Sequence, residues 1–138
     1  SDRIGGHLVT GHVDGVGRVS AVRAEATGKR LAVRVPAAFS PYLAPKGSVA
    51  VDGVSLTIVE SDAGTCSVAL IPETLARTTL GRAKPGDEVN IELDLVAKYI
   101  FSFLRRGEPS GSPRADLKVG PYVEGEGTLA QMAEEGYL

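Results

Sequence analysis

Short runs of valine, leucine and isoleucine recur along the chain, and in several of them apolar residues alternate with polar or small ones. Turn residues such as glycine, proline and aspartate separate the runs, which cover residues 13–22, 31–35, 48–51, 55–59, 66–71 and 88–93. A two-residue period is typical of strands that bury one face. Strands that recur at intervals of roughly ten residues indicate an antiparallel barrel or sandwich rather than alternating strands and helices.

Two segments break this strand pattern and predict helices. The first covers residues 72–77 and has Pro72 in its first turn, where a missing N–H costs little. The second covers residues 95–106, and Asp94 can cap it. Its apolar residues follow the spacing of one helix face, namely Val96, Tyr99, Ile100 and Phe103. Such a stripe on a terminal helix predicts docking on its own barrel or on another subunit.

The region after the second helix differs in composition. Residues 107–113 are rich in glycine, serine and proline, as is typical of a linker. We therefore divide the chain into a barrel over residues 1–94, an oligomerisation helix over residues 95–106, and a linker with a polar tail over residues 107–138.

Composition and charge exclude several classes of protein. The chain has 138 residues, 43% hydrophobic and 23% charged, as expected for one folded domain that needs no disulfide or metal. The net charge of −2 and the lack of a long basic run argue against nucleic acid as a partner. No apolar run approaches a membrane span of roughly 18 residues. A single cysteine, Cys66, excludes an intrachain disulfide and a cysteine-rich zinc site, and it fits a reducing cytoplasm.

The two histidines, His7 and His12, are candidates for chemistry. On one strand, positions five apart face opposite sides of the sheet, so the two rings could not reach one metal ion. No cysteine or carboxylate pattern nearby completes a ligand set. The pattern therefore favours two hydrogen-bonded histidines, one on each face of a strand, over a metal site.

A turn at residues 52–53 leads into a strand in which Ser55 and Thr57 lie two residues apart. Both hydroxyls therefore point to the same face of the sheet. There they can bind the edge of a heterocycle, and the spacing alone equally allows ordinary surface residues, which is the commoner case. Lys46, at the entrance of the preceding strand, is either solvated or reaches a ligand.

Four segments together resemble the carboxy-terminal half of the riboflavin synthase α-chain over about residues 2–106. They are Ile-Gly-Gly-His7-Leu-Val-Thr-Gly-His12-Val-Asp-Gly15, Lys46-Gly-Ser-Val-Ala-Val-Asp-Gly-Val-Ser55-Leu-Thr57, Leu70-Ile-Pro-Glu-Thr-Leu75-Ala-Arg-Thr-Thr-Leu-Gly81 and Gly86-Asp-Glu-Val-Asn-Ile-Glu-Leu-Asp94. Members of that family contain two similar barrels in tandem and then a terminal helix. The opening signature of the first barrel is missing, so the chain looks like the second barrel alone. The resemblance implies an all-β fold, a six-stranded antiparallel Greek-key β-barrel with short helices and a C-terminal helix.

The resemblance also implies a substrate pocket. Its residues are Gly11, His12, Val13, Lys46, Ser55, Leu56, Thr57, Leu70, Ile71, Pro72, Glu73, Thr74 and Leu75. The implied catalytic residues are His12, Ser55 and Asp94, with His12 as the proton shuttle. His7 is expected to be structural.

The implied activity is the dismutation of two 6,7-dimethyl-8-ribityllumazine molecules to riboflavin and 5-amino-6-ribitylaminouracil, without a metal or other cofactor. In the family, the active site lies between the first barrel of one subunit and the second barrel of its neighbour. The implied partners are therefore a first barrel and a homotrimer, with lumazine synthase as a further candidate, and an isolated second barrel is expected to be slow or inactive. The alternative is a non-catalytic lumazine- or flavin-binding module similar to lumazine proteins. Either protein is expected in the cytoplasm.

Overall fold

A computed structural model describes residues 7–106 of the chain. It contains six strands, β1 (Gly15–Glu25), β2 (Gly28–Arg34), β3 (Ser48–Val51), β4 (Val54–Asp62), β5 (Thr65–Leu70) and β6 (Glu88–Leu93). The two α-helices are α1 (Pro72–Arg77) and α2 (Leu95–Arg105), and two short 3₁₀ helices cover Ala37–Tyr42 and Thr79–Arg82.

The six strands form one closed antiparallel barrel in the order β1-β2-β5-β4-β3-β6. Tight hairpins join β3 to β4 and β4 to β5, whereas β6 returns by a longer connection to lie beside β3. That order is a Greek key, as predicted. The β3–β4 hairpin turns at Asp52 and Gly53, whose φ angles of 48° and 77° suit a two-residue turn of the primed type.

Alternate strand residues point inward and fill the barrel. The core is aliphatic and draws on every strand, with Val19, Leu31, Val33, Val49, Val51, Ile58, Val68 and Ile91 each at most 1% exposed. The fifth strand also contributes Cys66, and this burial raises the pKa of its thiol to about 11. The β-branched composition of the runs explains why they form strands, because such side chains pack well on a pleated surface.

Most predicted elements are confirmed, and one expectation is wrong. The strands near residues 48–51 and 88–93 and the helix at 72–77 have the predicted bounds. Residues 7–14, however, lie outside the sheet, because β1 begins at Gly15. The argument that the two histidines lie on opposite faces of one strand therefore does not apply. The 3₁₀ helices were not predicted, since neither has a periodic apolar pattern.

The chain divides into two units, Ser1–Leu95 and Val96–Leu138. The helix α2 begins at Leu95, the last residue of the first unit, and ends at Arg105 in the second unit, one residue before the predicted boundary. Its Tyr99 and Ile100 side chains are 68% and 45% exposed. None of the helices in residues 7–106 is long and apolar enough to cross a membrane. The predicted tail, residues 107–138, lies outside the described residues.

Candidate functional site

Three outward-facing residues lie side by side across β6, β3 and β4. Ala50 pairs with Glu92 on one side and with Ser55 on the other, and we call these three residues the strap row. Their strand neighbours point into the core, so the row lies on the outer face of the barrel. Outward residues of a barrel are usually exposed, yet Glu92 is only 5% exposed and Ala50 0%. Another part of the chain therefore covers them.

That cover is the strap, the non-strand segment of residues 7–12. The carboxylate of Glu92 accepts hydrogen bonds from the Thr10 N–H (2.6 Å), the Thr10 hydroxyl (2.8 Å) and the Gly11 N–H (3.0 Å). At the other end of the row, Ser55 Oγ and His7 Nδ1 form a hydrogen bond of 2.7 Å. Three extended residues reach about 10 Å, which matches the two strand spacings of about 4.8 Å between these anchors.

These hydrogen bonds affect the ionisation of Glu92. The Thr10 N–H lowers the pKa of Glu92 below its usual value, and the Thr10 hydroxyl, the Gly11 N–H and nearby His12 lower it further. Burial acts in the opposite direction, because it disfavours a charged group. The net result is a carboxylate that stays ionised at neutral pH and can accept all of its hydrogen bonds.

The histidines are both engaged by hydroxyl groups. His12 is exposed, and its Nδ1 lies 3.1 Å from the Thr10 hydroxyl oxygen. His7 is half-buried against Ser55, and its Nε2 is buried without a hydrogen-bond partner among the described residues. His7 therefore contacts Ser55, a residue of the predicted pocket, and lies at the edge of the candidate site.

The strand β4 presents its predicted site residues on two different faces. Ser55 and Thr57 are exposed on the outer face, as their spacing predicted. Leu56 points into the core and is 6% exposed, so only its backbone can meet a ligand from outside. Lys46 lies beside the strand, because its N–H donates to the Ile58 carbonyl at 2.8 Å. Its side chain is exposed, and its φ is 66°.

The segment from Leu70 to Leu75 leaves the sheet at the end of β5 and continues into α1. Since β5 runs antiparallel to β4, this end lies towards the first residues of β4, where Ser55 is. Leu70 belongs to the core, while Ile71 is 58% exposed. The other members of the segment are exposed at Pro72 and Glu73 and half-buried at Thr74 and Leu75.

The remaining predicted residues lie near the β6 end of the row. Gly11 and Val13 are exposed on either side of His12, and Gly11 has a φ of 78°. Asp94 is half-buried directly after β6. Two concavities of the barrel, of about 310 and 460 Å³, are lined by other residues than the predicted site residues. The candidate site is therefore an open outer face rather than an enclosed pocket.

Two residues of this site were missed by the sequence analysis. Glu92 stands between the inward-facing Ile91 and Leu93, so its place in the pattern is that of an ordinary outward residue and gives no signal of burial. The burial of this outward carboxylate depends on the strap, which is distant in sequence, since Thr10 and Glu92 are 82 positions apart. Thr10 had no signal of its own beyond its place between the two histidines.

Comparison with known proteins identifies relatives of this chain. Residues 10–94 match a family model described as a lumazine binding domain. The chain is 37% identical over 117 residues to a riboflavin synthase of Actinobacillus pleuropneumoniae, covering 85% of this chain and 54% of that protein. It is 46% identical over 98 residues to a riboflavin synthase of Brucella abortus, covering 71% of this chain and 48% of the relative. The chain thus spans about half the length of the curated relatives it matches.

Solved structures share the fold. A structure described as LumP complexed with riboflavin has a TM-score of 0.61 and 22% sequence identity, with 67% of this chain and 50% of that one aligned. A second structure, LumP complexed with 6,7-dimethyl-8-(1'-D-ribityl) lumazine, has a TM-score of 0.60 at 22% identity and covers 67% and 52% of the two chains. At this identity the likeness concerns the fold alone.

Proposed function

Because the chain belongs to the lumazine-binding domain family, we propose that it binds a ribityl lumazine on the outer face of β4 and forms the second barrel of a riboflavin synthase. The observation that carries the proposal is the family match over residues 10–94, which includes β4 and residues 10–12 of the strap. Exposed Ser55 and Thr57 lie on this face, and His12 lies on the strap at the β6 end of the strap row, where Thr10 bonds Glu92.

The polar groups of this face suit the edge of a fused heterocycle. Ser55 and Thr57 offer hydroxyls that donate or accept, as ring carbonyl and nitrogen atoms require. Lys46, beside β4, offers a cation, and the exposed part of the segment 70–75 offers apolar surface at the strand's start. A few polar groups within an apolar surround are typical of small-molecule sites.

The proposed reaction conserves every atom of its two substrates. One 6,7-dimethyl-8-ribityllumazine transfers a four-carbon unit to the other, which gives riboflavin and 5-amino-6-ribitylaminouracil. The first demand is loss of a proton from an acidic ring methyl group, and the resulting carbon nucleophile then attacks the second ring. Holding the two rings in register can supply up to ~7–11 kcal/mol of the barrier. Donors at the ring carbonyl stabilise the delocalised anion.

His12 is the proposed proton shuttle. Its Nδ1 is bonded to the Thr10 hydroxyl, so Nε2 is the ring nitrogen left to meet a substrate. A histidine suits this task because its unperturbed charge change lies near neutral pH. Ser55, at the β4 end of the strap row, is the second proposed catalytic residue. Its hydroxyl, which is bonded to His7, orients the lumazine ring. Asp94 is proposed to act from the β6 end of the site.

The open geometry supports a requirement for a second barrel. A ligand on an exposed outer face is covered on one side, and two facing lumazines need contacts from two barrels. We therefore propose that a first barrel completes the pocket in a homotrimer, that α2 contributes to this assembly, and that lumazine synthase is a candidate partner. A cytoplasmic location belongs to the same proposal, since buried Cys66 forms no intrachain disulfide.

A ligand titration tests the binding half of the proposal. Riboflavin fluorescence should be quenched saturably by the chain, and Ser55→Ala with Thr57→Ala should weaken binding at least about tenfold, since each lost hydrogen bond costs ~0.5–1.5 kcal/mol. The matched control replaces Ser20 and Thr65 with alanine, because these hydroxyls lie on the β1–β2–β5 side of the barrel. Equal riboflavin affinity in the two double variants would show that the ligand does not bind at the Ser55–Thr57 face of β4.

An activity assay tests the catalytic half. Riboflavin formation from purified lumazine should be slower by several powers of ten with this chain alone than after addition of a first barrel, because orientation of the second ring is lost. His12→Ala in the complete pair should cost about 10²–10⁴-fold, the usual range for an acid–base group. Tight binding without synthesis in the complete pair would instead indicate a non-catalytic lumazine- or flavin-binding module.

The role of α2 is tested by light scattering on the whole chain. Tyr99→Asp with Ile100→Asp places two charges on the exposed apolar face and should convert a trimer into monomers. Ser102→Asp, which adds a charge at another exposed position of the helix, is the control. A trimer that survives the double substitution would exclude this face from the interface.

A further inference from the structure

Glu92 occupies an unusual place for a carboxylate. It lies on the outer face of β6, where a glutamate is normally solvated, yet it is 5% exposed. Its recorded partners are the Thr10 N–H, the Thr10 hydroxyl and the Gly11 N–H, and no lysine or arginine pairs with it among residues 7–106. A buried carboxylate that faces neutral donors depends chiefly on those hydrogen bonds for the stabilisation of its charge. These three hydrogen bonds all come from the two residues that precede His12.

The direction of these hydrogen bonds determines where His12 holds its proton. A threonine hydroxyl has one proton, and an ionised carboxylate can only accept, so the Thr10 hydroxyl donates to Glu92. The same hydroxyl must then accept from His12 Nδ1, which lies 3.1 Å away. Nδ1 of His12 therefore carries a proton, and in the neutral imidazole the lone pair is on Nε2. Nε2 is the atom that can take a proton from a substrate.

We propose that Glu92 is a positioning residue that, through Thr10, fixes the strap and holds His12 in the tautomer whose Nε2 acts as the base. The inference rests on the proposed function, because it deepens the role given there to His12. Glu92 is buried beneath the strap and touches no ligand, so it is not a catalytic residue. Its part resembles that of any buried acceptor that orients a histidine through a hydrogen bond at the opposite ring nitrogen.

The first test needs no ligand. ¹⁵N spectra of the histidine rings should show His12 of the wild-type chain, when neutral, mainly protonated on Nδ1. Thr10→Val, which keeps the shape and the backbone donor, should move the proton mainly to Nε2. Glu92→Gln should do the same in part, because its amide can donate to the Thr10 hydroxyl and release that proton towards Nδ1. Glu88→Gln is the matched control, since Glu88 lies on the same strand but is exposed and bonded to Arg18.

The second test follows riboflavin affinity. Glu92→Gln should weaken binding at least about tenfold, Glu92→Asp should recover part of this loss, and Glu88→Gln should stay within about twofold of wild type. The gap between wild type and Glu92→Gln should close as the pH falls below the usual glutamate range, because protonated Glu92 resembles glutamine. His12, whose charge acts on Glu92, and Asp14, which accepts from the Leu93 N–H, are present in both proteins, so the affinity is compared as a ratio at each pH.

The outcomes separate the two proposals. If the wild-type chain binds no riboflavin, the proposed function fails, while the ring spectra still decide whether Glu92 sets the tautomer. If the wild-type chain binds but Glu92→Gln binds equally well with an unchanged His12 tautomer, the present inference is overturned alone. If Glu92→Gln fails to fold, Thr10→Val decides, because it leaves the carboxylate and both backbone donors in place.

Discussion

The strap row on β6, β3 and β4 lies beneath residues 7–12, whereas the equivalent row on β1, β2 and β5 lines an open concavity of about 460 Å³. We call this second set, Ala21, Ala32 and Ser67, the open row, because register pairing places the three side by side on the outer face. Both rows contain small residues next to a polar one. They differ in what lies on top of them.

The cover changes the chemistry of each row. Under the strap, the polar member is an ionised carboxylate whose hydrogen bonds are made to the covering segment. In the open row, the buried Ser67 hydroxyl has no hydrogen-bond partner among residues 7–106. The two rows therefore differ in the segment that covers the outer surface of the barrel, and we infer that this cover, rather than the interior, distinguishes the candidate site from the rest of the barrel surface. Three pairs of substitutions test this conclusion.

The largest effects should be equal on the two sides. Leu31 in β2 and Ile91 in β6 are both 0% exposed, one behind each row. Leu31→Ala and Ile91→Ala should each cost about 2–5 kcal/mol of unfolding free energy, from lost burial and the cavity left behind. Urea unfolding followed by circular dichroism measures both. If the two losses of unfolding free energy differed by more than about 2 kcal/mol, the core packing behind the two rows would also be different.

The next pair should separate the two sides. Ala50 is outward-facing but 0% exposed, so Ala50→Leu must push against the strap and should cost about 1–3 kcal/mol. Ala32→Leu adds the same atoms above an open concavity and should change stability by about 0.5 kcal/mol or less. The same unfolding experiment applies, with riboflavin affinity as a second readout that only Ala50→Leu should lower. Equal costs would show that the strap does not press on Ala50.

Much of the barrel could be predicted from the sequence because strand periodicity is a local property. The alternation of apolar residues in 48–51 and 88–93 gave strands with the observed bounds, and Pro72 marked the start of α1. Residues 13–14 were placed in a strand because Val13 fits an apolar period, yet β1 begins only at Gly15. The pattern says nothing about pairing partners, so it could not show that the chain ahead of Gly15 leaves the sheet.

The site was predictable only in part, for the same reason. Ser55 and Thr57 share the outer face because strand geometry requires it, whereas Leu56 between them points into the core. The hydrogen bonds of Glu92 to Thr10 join positions 82 apart, and no local pattern encodes such a contact. Family resemblance supplied the names of site residues, but the carboxylate that organises the strap emerges only from the folded chain.

The smallest effects should differ in sign between the rows. Ser55→Ala removes the 2.7 Å hydrogen bond to His7, leaves a half-buried imidazole without that partner, and should cost about 0.5–1.5 kcal/mol. Ser67→Ala removes a buried hydroxyl that has no partner among the described residues, so the desolvation cost disappears and stability should stay equal or rise by up to about 1 kcal/mol. Both differences are measurable by urea unfolding at a fixed pH when the slopes of the two transitions agree. A loss of stability in Ser67→Ala as large as that in Ser55→Ala would mean that the Ser67 hydroxyl is satisfied in solution, and the open row would then be a hydrated or occupied surface.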